Sequence, residues 1–314
     1  MTFWRARGTF DVLVVGKRLA LLLAAVAVYF VAAGVAVRWF ELRLLDLGSA
    51  ASLINTVILS LLMGFRNTVA YQRWWEARGL WGRLTNDTRN LAAKCAALVP
   101  AAALARSPAG AILAAFPEAL KRHLRDQPPR LRDLPGFEGE GADPPHVPLD
   151  LARRLFAVLA GWKREGHVDQ GELWTLDVHA RGLLDVCGGC EKIKGTPLSP
   201  SYKGLLRAGL VLNVVAVPWL TVPEIGLWGL PVFLLVCFFL FGVELIDSIV
   251  EEPFGRERDD LDLDGYCRTI REGVAACLPL TPTGVVTAGA QPGGEPGHVE
   301  RRDGAPLAWS PGRP

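Results

Sequence analysis

The most explicit chemistry in the chain belongs to Cys187 and Cys190, which flank two glycines. A C-x-x-C pair offers two sulfur atoms close together, enough for half of a zinc site or for a redox couple. A structural zinc site needs two further ligands, and His167, His179, Cys267 and Cys277 show no second paired spacing that would supply them. Small residues packing a helix end are therefore the favoured reading, with a membrane redox or metal-binding protein using Cys187 and Cys190 as the alternative. Asp259, Asp260, Asp262 and Asp264 form a second cluster, since carboxylate oxygens suit a hard cation such as calcium. The run lacks the alternate spacing, central Gly and terminal Glu of an EF-hand loop, so a helix N-terminus, where acids complement the dipole, is favoured. No metal and no cofactor is assigned. A third pattern has no polar chemistry at all: Val57, Leu61 and Phe65 recur at steps of four, about 6 Å apart along one helix face. Around an axis, copies of that face would stack apolar rings able to gate by dewetting, whereas on an isolated helix the same face meets lipid.

These residues need elements to hold them, and composition narrows what the elements are. Of the 314 residues 50% are hydrophobic and the mean hydropathy is positive, yet 21% are charged, so apolar residues must be concentrated in segments. A formal net charge of +2 is too small for a nucleic-acid partner. The six cysteines are too sparse for a secreted disulfide framework and are expected as reduced thiols. No P-loop, dinucleotide fingerprint, H-E-x-x-H or G-x-S-x-G occurs, and no catalytic residue is assigned.

Residues 19–37 carry no charge between Lys17-Arg18 and Arg38, and residues 47–65 carry none before Arg66; each is long enough for a membrane helix. The second is expected to continue into water as a charged, tryptophan-bearing helix unbroken until Pro100. Apolar runs at 210–222, with Pro218, and at 225–243 predict two further spans joined by a short turn, TVPEIG. The expected organisation is an N-terminal segment 1–18, two spans in 19–65 and a helical segment 66–204. Within that segment lie an exposed Pro/Gly-rich loop 126–150 and helices at 151–162 and 170–193. A span pair at 205–243, helices in 244–278 and a disordered tail 279–314 complete it. Basic residues before the first span predict that both termini, and with four spans the 66–204 segment, are cytoplasmic. Lipid bilayer is the implied surrounding, in a plasma or inner membrane.

Read together, three stretches resemble one family. Gly64-Phe65-Arg66-Asn67, Tyr71-Gln72-Arg73-Trp74-Trp75-Glu76-Ala77-Arg78, Trp81-Gly82 and Asn86-Asp87-Thr88-Arg89-Asn90-Leu91 form the first. Cys190-Glu191-Lys192-Ile193, Thr196-Pro197 and Tyr202 form the second, and Glu251-Glu252-Pro253-Phe254-Gly255 with Asp259-Asp260-Leu261 the third. In this order, over roughly residues 1–280, they are similar to the bacterial branch of the bestrophins. The resemblance implies an all-α ion channel subunit: a homopentamer with four membrane helices per subunit, a cytosolic vestibule, and the second helix lining an axial pore for permeant ions. It places the apolar neck on Val57, Leu61 and Phe65 and a cytosolic constriction near Ile193. The Pro-Phe-Gly motif and its acids correspond to the calcium clasp of animal relatives, but here Leu261 and Leu263 interrupt the acids, which argues against calcium activation. Apolar rings carry no formal charge, so chloride-type anions and cations both remain compatible. Arg66, Arg73 and Arg78 are read as structural, Arg73 pairing with Glu76 and Arg83 with Asp87.

Overall fold

The computed structural model describes residues 8–40, 48–127, 130–138, 141, 143–257 and 260–280. Arg43 of the first turn, the start of the second predicted span at Leu47, Asp259 and the tail beyond Leu280 lie outside these residues. Among the described residues the chain is all helical. Helix α1 is Gly8–Phe40, α2 Gly48–Leu98, α3 Ala101–Ala105, α4 Ala109–Leu124, α5 Val147–Arg164, α6 Gln170–Gly195, α7 Pro200–Ile225, α8 Gly229–Val250 and α9 Leu263–Ala275.

Of the charge-free stretches, residues 19–37 lie inside α1, 48–65 inside α2, 210–222 inside α7 and 229–243 inside α8. Gly16–Phe40 and Pro200–Val250 are long and apolar enough to cross a membrane, the latter divided into α7 and α8. The turn between these two falls at Gly226–Trp228, later than the expected TVPEIG segment. The reason is local: α7 tolerates Pro218 and Pro223 inside it, and the reversal waits for Gly226, whose φ of 61° suits a residue without a Cβ. Helix α8 also runs past Glu244 to Val250, so the charged end of the helix belongs to the same rod as its apolar part. Helix α1 packs on this pair through Val26 and Phe30 against Leu210, Phe233, Cys237 and Phe241, with the Phe30 and Phe233 rings 5.3 Å apart. A short polar chain joins them: Trp219 Nε1 donates to the Tyr29 hydroxyl at 2.8 Å, which donates to the Val215 carbonyl at 3.0 Å. The Tyr29 hydroxyl and the Trp219 indole N–H thereby satisfy each other in this apolar layer.

Helix α2 does not stop where its composition changes. It continues for 51 residues, about 77 Å at the usual rise, and ends just before Pro100. Its apolar half packs on α7 through Leu59, Met63 and Leu206, and the Tyr202 hydroxyl donates to the Leu62 carbonyl at 3.1 Å. Its charged half is the central rod of a second core, against α6, α4 and α9, built on Trp81, Leu84, Leu91, Phe116, Leu183 and Ile270. Asp169 and Glu172 close a capping box that starts α6, with bonds of 2.7 and 2.8 Å.

The 126–150 segment corrects the expectation of a wholly exposed loop. Leu131, Leu134 and Phe137, at intervals of three, are fully buried in the second core, and the Arg154 guanidinium lies 5.8 Å over the Phe137 ring. The Leu131 N–H donates to Asp143 Oδ1 at 3.2 Å. Pro and Gly set the backbone of this segment, but three apolar anchors, each contributing about 1.5–3 kcal/mol when buried, are enough to pin it.

Candidate functional site

The apolar face of α2 is where the sequence pattern and the fold meet. Val57, Leu61 and Phe65 are 65%, 58% and 58% exposed, whereas Leu59, Met63 and Arg66 on the other side of the same helix are buried. The helix thus presents one apolar stripe away from its own subunit. Such a stripe on a membrane helix faces lipid, another helix or a lumen. Ile193 is placed differently: it is 3% exposed, in the second core. A residue lining an aqueous axis has to be accessible on its own subunit, and Ile193 is not.

Below the stripe, the arginines are structural. Arg66 is fully buried and paired with Glu244 of α8, which Arg207 of α7 also approaches at 3.4 Å. Arg73 does not pair with Glu76, as its spacing suggests. Its Nη2 donates to the Ile193 carbonyl at 2.7 Å, its Nη1 to the Thr196 carbonyl and its Nε to the Glu251 carbonyl at 3.3 Å. Two of these are orphan carbonyls at the C-terminus of α6, where a cation also meets the negative end of the dipole. Tertiary carbonyls outcompete the intrahelical carboxylate, and Glu76 lies 3.5 Å from Lys192 instead. The Arg83–Asp87 pair is present at 3.4 Å. Arg78 lies 5.5 Å over both the Trp74 and Trp75 rings.

The acidic region is occupied by protein partners. Buried Glu251 pairs with Lys203 at 2.6 Å and accepts the Leu198 N–H at 3.2 Å. Asp260 accepts the Glu257 N–H at 2.5 Å, and its carboxylate lies where a Cβ on Gly255 would point. Asp262 caps α9 by accepting the Gly265 N–H at 2.9 Å, as a helix N-terminus requires. Asp264 meets Lys121 at 2.7 Å and Arg125 at 3.4 Å; the Lys121 hydrogen bond, above all, holds its carboxyl below the usual range. Lys121 also reaches Glu118 at 2.7 Å, tying α9 to α4.

Cys187 and Cys190 are buried free thiols on α6. Burial, with Glu191 nearby, pushes the Cys190 thiol up to about 12 and the Cys187 thiol higher still, so neither is a resting thiolate. Of the two glycines between them, Gly189 serves close packing: a Cβ there would stand 2.9 Å from the Leu80 methyls of α2, whereas one on Gly188 would meet open space. A cluster the sequence did not flag lies beside this motif. His123 Nε2 and His146 Nε2 approach the same oxygen of Glu191, Oε1, at 2.8 and 2.7 Å, and the two rings are 4.6 Å apart. Its members come from the end of α4, the residue before α5, and α6, and no sequence spacing connects them.

Apolar helices of membrane-crossing length joined to a charged helical core define an all-α membrane protein. The chain belongs to the bestrophin family: residues 3–276 match the family described as Bacterial/Fungal Bestrophin protein. A voltage-dependent anion channel-forming protein of Mesorhizobium japonicum is 33% identical over 256 residues, 80% of this chain and 82% of that protein. A protein of the same description from Ralstonia nicotianae is 34% identical over 254 residues, 78% of this chain and 81% of its own length. The crystal structure of a mutant bacterial bestrophin homologue from Klebsiella pneumoniae has the same fold, with a TM-score of 0.77 at 22% identity over 83% of this chain and 98% of that one.

Proposed function

We propose that this chain is an ion channel subunit that conducts passively through an axial pore of a homopentamer. Each subunit crosses the membrane four times, by α1, the first half of α2, α7 and α8, with both termini and the charged helical core on the cytoplasmic side. The observation that carries this reading is the outward apolar stripe of Val57, Leu61 and Phe65 on a helix whose opposite side is buried in the subunit through Leu59, Met63 and Arg66. Five such stripes around an axis make a neck about 12 Å long that disfavours ions unless wetted. The curated relatives described as anion channel-forming proteins favour anions as the permeant species. Ile193 is left out as a cytosolic constriction because its side chain is packed inside the subunit. The redox reading of Cys187 and Cys190 is disfavoured by their buried, protonated thiols.

Purified protein in planar bilayers tests the proposal. Unitary currents are expected, with a reversal potential under a chloride gradient on the anion side, from a species whose crosslinking ladder ends at five. An intact assembly that passes no current, or a ladder that ends at dimer, refutes it.

A further inference from the structure

His123, His146 and Glu191 bring three ligand atoms within 4.8 Å of one another, where helices α4, α5 and α6 meet. The side chains are 31%, 32% and 38% exposed, so the cluster opens to solvent on one side while resting on the buried Cys187 thiol, which donates to Glu191 at 3.7 Å. Both imidazoles converge on a single carboxylate oxygen. Although burial opposes it, their hydrogen bonds hold the Glu191 carboxyl below the usual carboxylate range. Lys194, which donates to the His123 carbonyl at 3.4 Å, is paired with Asp126 and brings no free charge to the site.

We propose that these three residues bind one divalent transition-metal ion of the zinc class, with the fourth position open to water. Two imidazole nitrogens and one carboxylate oxygen suit such an ion, whereas calcium and magnesium prefer oxygen ligands alone. Ligand bonds of about 2.0–2.1 Å in a tetrahedron separate nitrogen and oxygen by about 3.3 Å. The present separations of 2.7 and 2.8 Å are those of hydrogen bonds, so each contact opens by roughly half an ångström as the metal replaces a proton. One adjustment is specific to His146. Its Nδ1 accepts the Leu149 N–H at 3.1 Å and caps α5, which places the proton of the neutral ring on Nε2. Ligation through Nε2 moves that proton to Nδ1 and forfeits the cap, weakening binding by about fivefold. Once bound, the ion ties the 126–146 segment to α6.

The test uses the full chain, free of any tag, in detergent, stripped with chelator and titrated with zinc chloride by calorimetry, with retained metal counted by mass spectrometry. One zinc per chain is expected, undisturbed by excess magnesium. His146→Asn keeps an N-cap and Glu191→Gln keeps the side-chain size, yet each should weaken binding at least tenfold, by about as much as losing a supporting residue does elsewhere. A parent chain that retains no zinc, or an H146N/E191Q chain that binds it as tightly as the parent, overturns the site. Cobalt(II) loaded into the parent chain gives a measurement that needs no variant to fold. The proposed ligands give no thiolate-to-cobalt charge-transfer band, and such a band would move the metal to the cysteines and overturn the assignment. Neither readout uses ion conduction, so this inference stands or falls apart from the proposed function.

Discussion

Arg73→Lys separates a structural arginine from one that merely adds charge. The guanidinium joins α2 to the C-terminus of α6 and the end of α8 through three backbone carbonyls, those of Ile193, Thr196 and Glu251. A hydrogen bond from a charged donor contributes about 1.5–3 kcal/mol, and a single ammonium cannot span all three acceptors. Losing two of them costs about 2–4 kcal/mol of local stability, less than the full sum of about 3–6 kcal/mol because one is long at 3.3 Å and the other solvent-exposed. The charge is kept, so any purely electrostatic role would survive. Cys187 and Cys190 lie on the helix this clamp holds, and both are buried. Their reaction with a small thiol reagent therefore reports local opening of α6. Position-resolved mass spectrometry should show the two labelled about 30- to 1000-fold faster in the variant, since each 1.4 kcal/mol is tenfold. Cys237, in the α1–α7–α8 cluster, is the internal control and should change little. Labelling of Cys190 within twofold of the parent would show that the carbonyl bonds contribute little. Equal acceleration at Cys237 would mean that the whole subunit loosened and the clamp is not local.

Replacing Val57, Leu61 and Phe65 together by alanine should raise unitary conductance or open probability without disturbing assembly, because these side chains are largely exposed on the subunit; bilayer recording and size exclusion check this, and unchanged currents from a normal assembly would put the stripe against lipid. The Asp264 carboxyl is held low mainly by Lys121, and Glu118, despite the opposing effect of burial, by its bonds with Lys121 and Arg122. Depressed folded pKa values contribute stability above the ordinary carboxylate range near pH 4, and that stability is lost as pH falls through them. Lys121 is raised in spite of burial, by Asp264 and Glu118, so its share persists until well above neutral pH. The melting difference between the parent and Lys121→Met should therefore be flat from about pH 5 to pH 8 and shrink toward about pH 3, with the Asp264 share no more than about 1 kcal/mol because that carboxylate is exposed.

The parts of this fold that could be read from the sequence are those fixed by composition along a single segment. Charge-free runs ended at Arg38 and Arg66, and the second run continued as a helix because nothing broke it before Pro100. The stripe at 57, 61 and 65 was readable because helical period alone places those residues on one face. Features set by contact between distant segments were not. The partners of Arg73 are carbonyls more than a hundred residues away, invisible to an i+3 rule that points at Glu76. The anchoring of Leu131, Leu134 and Phe137 was masked by the prolines and glycines around them. The His123, His146 and Glu191 cluster had no signal at all, because two histidines flanking a loop mean nothing until the loop folds back on α6. The α7–α8 turn was misplaced because Pro223 reads as a helix stop, whereas an apolar membrane helix tolerates a proline when its surroundings satisfy the carbonyl that it frees.

The unbroken length of α2 has a mechanical consequence. A helix without a hinge behaves as a rod, and Arg73 fastens it near its middle. Val57 lies on one arm, about 24 Å from that fulcrum, and the bundle of α4, α6 and α9 grips the other. A tilt of about 5° at the gripped end swings Val57 sideways by about 2 Å, close to half the width of a methyl-bearing side chain. In the proposed ring of five subunits, such levers would repeat the displacement on every side of the axis, and a small rearrangement of the helices gripping the other arm would alter the diameter at the proposed neck without any change in the stripe itself.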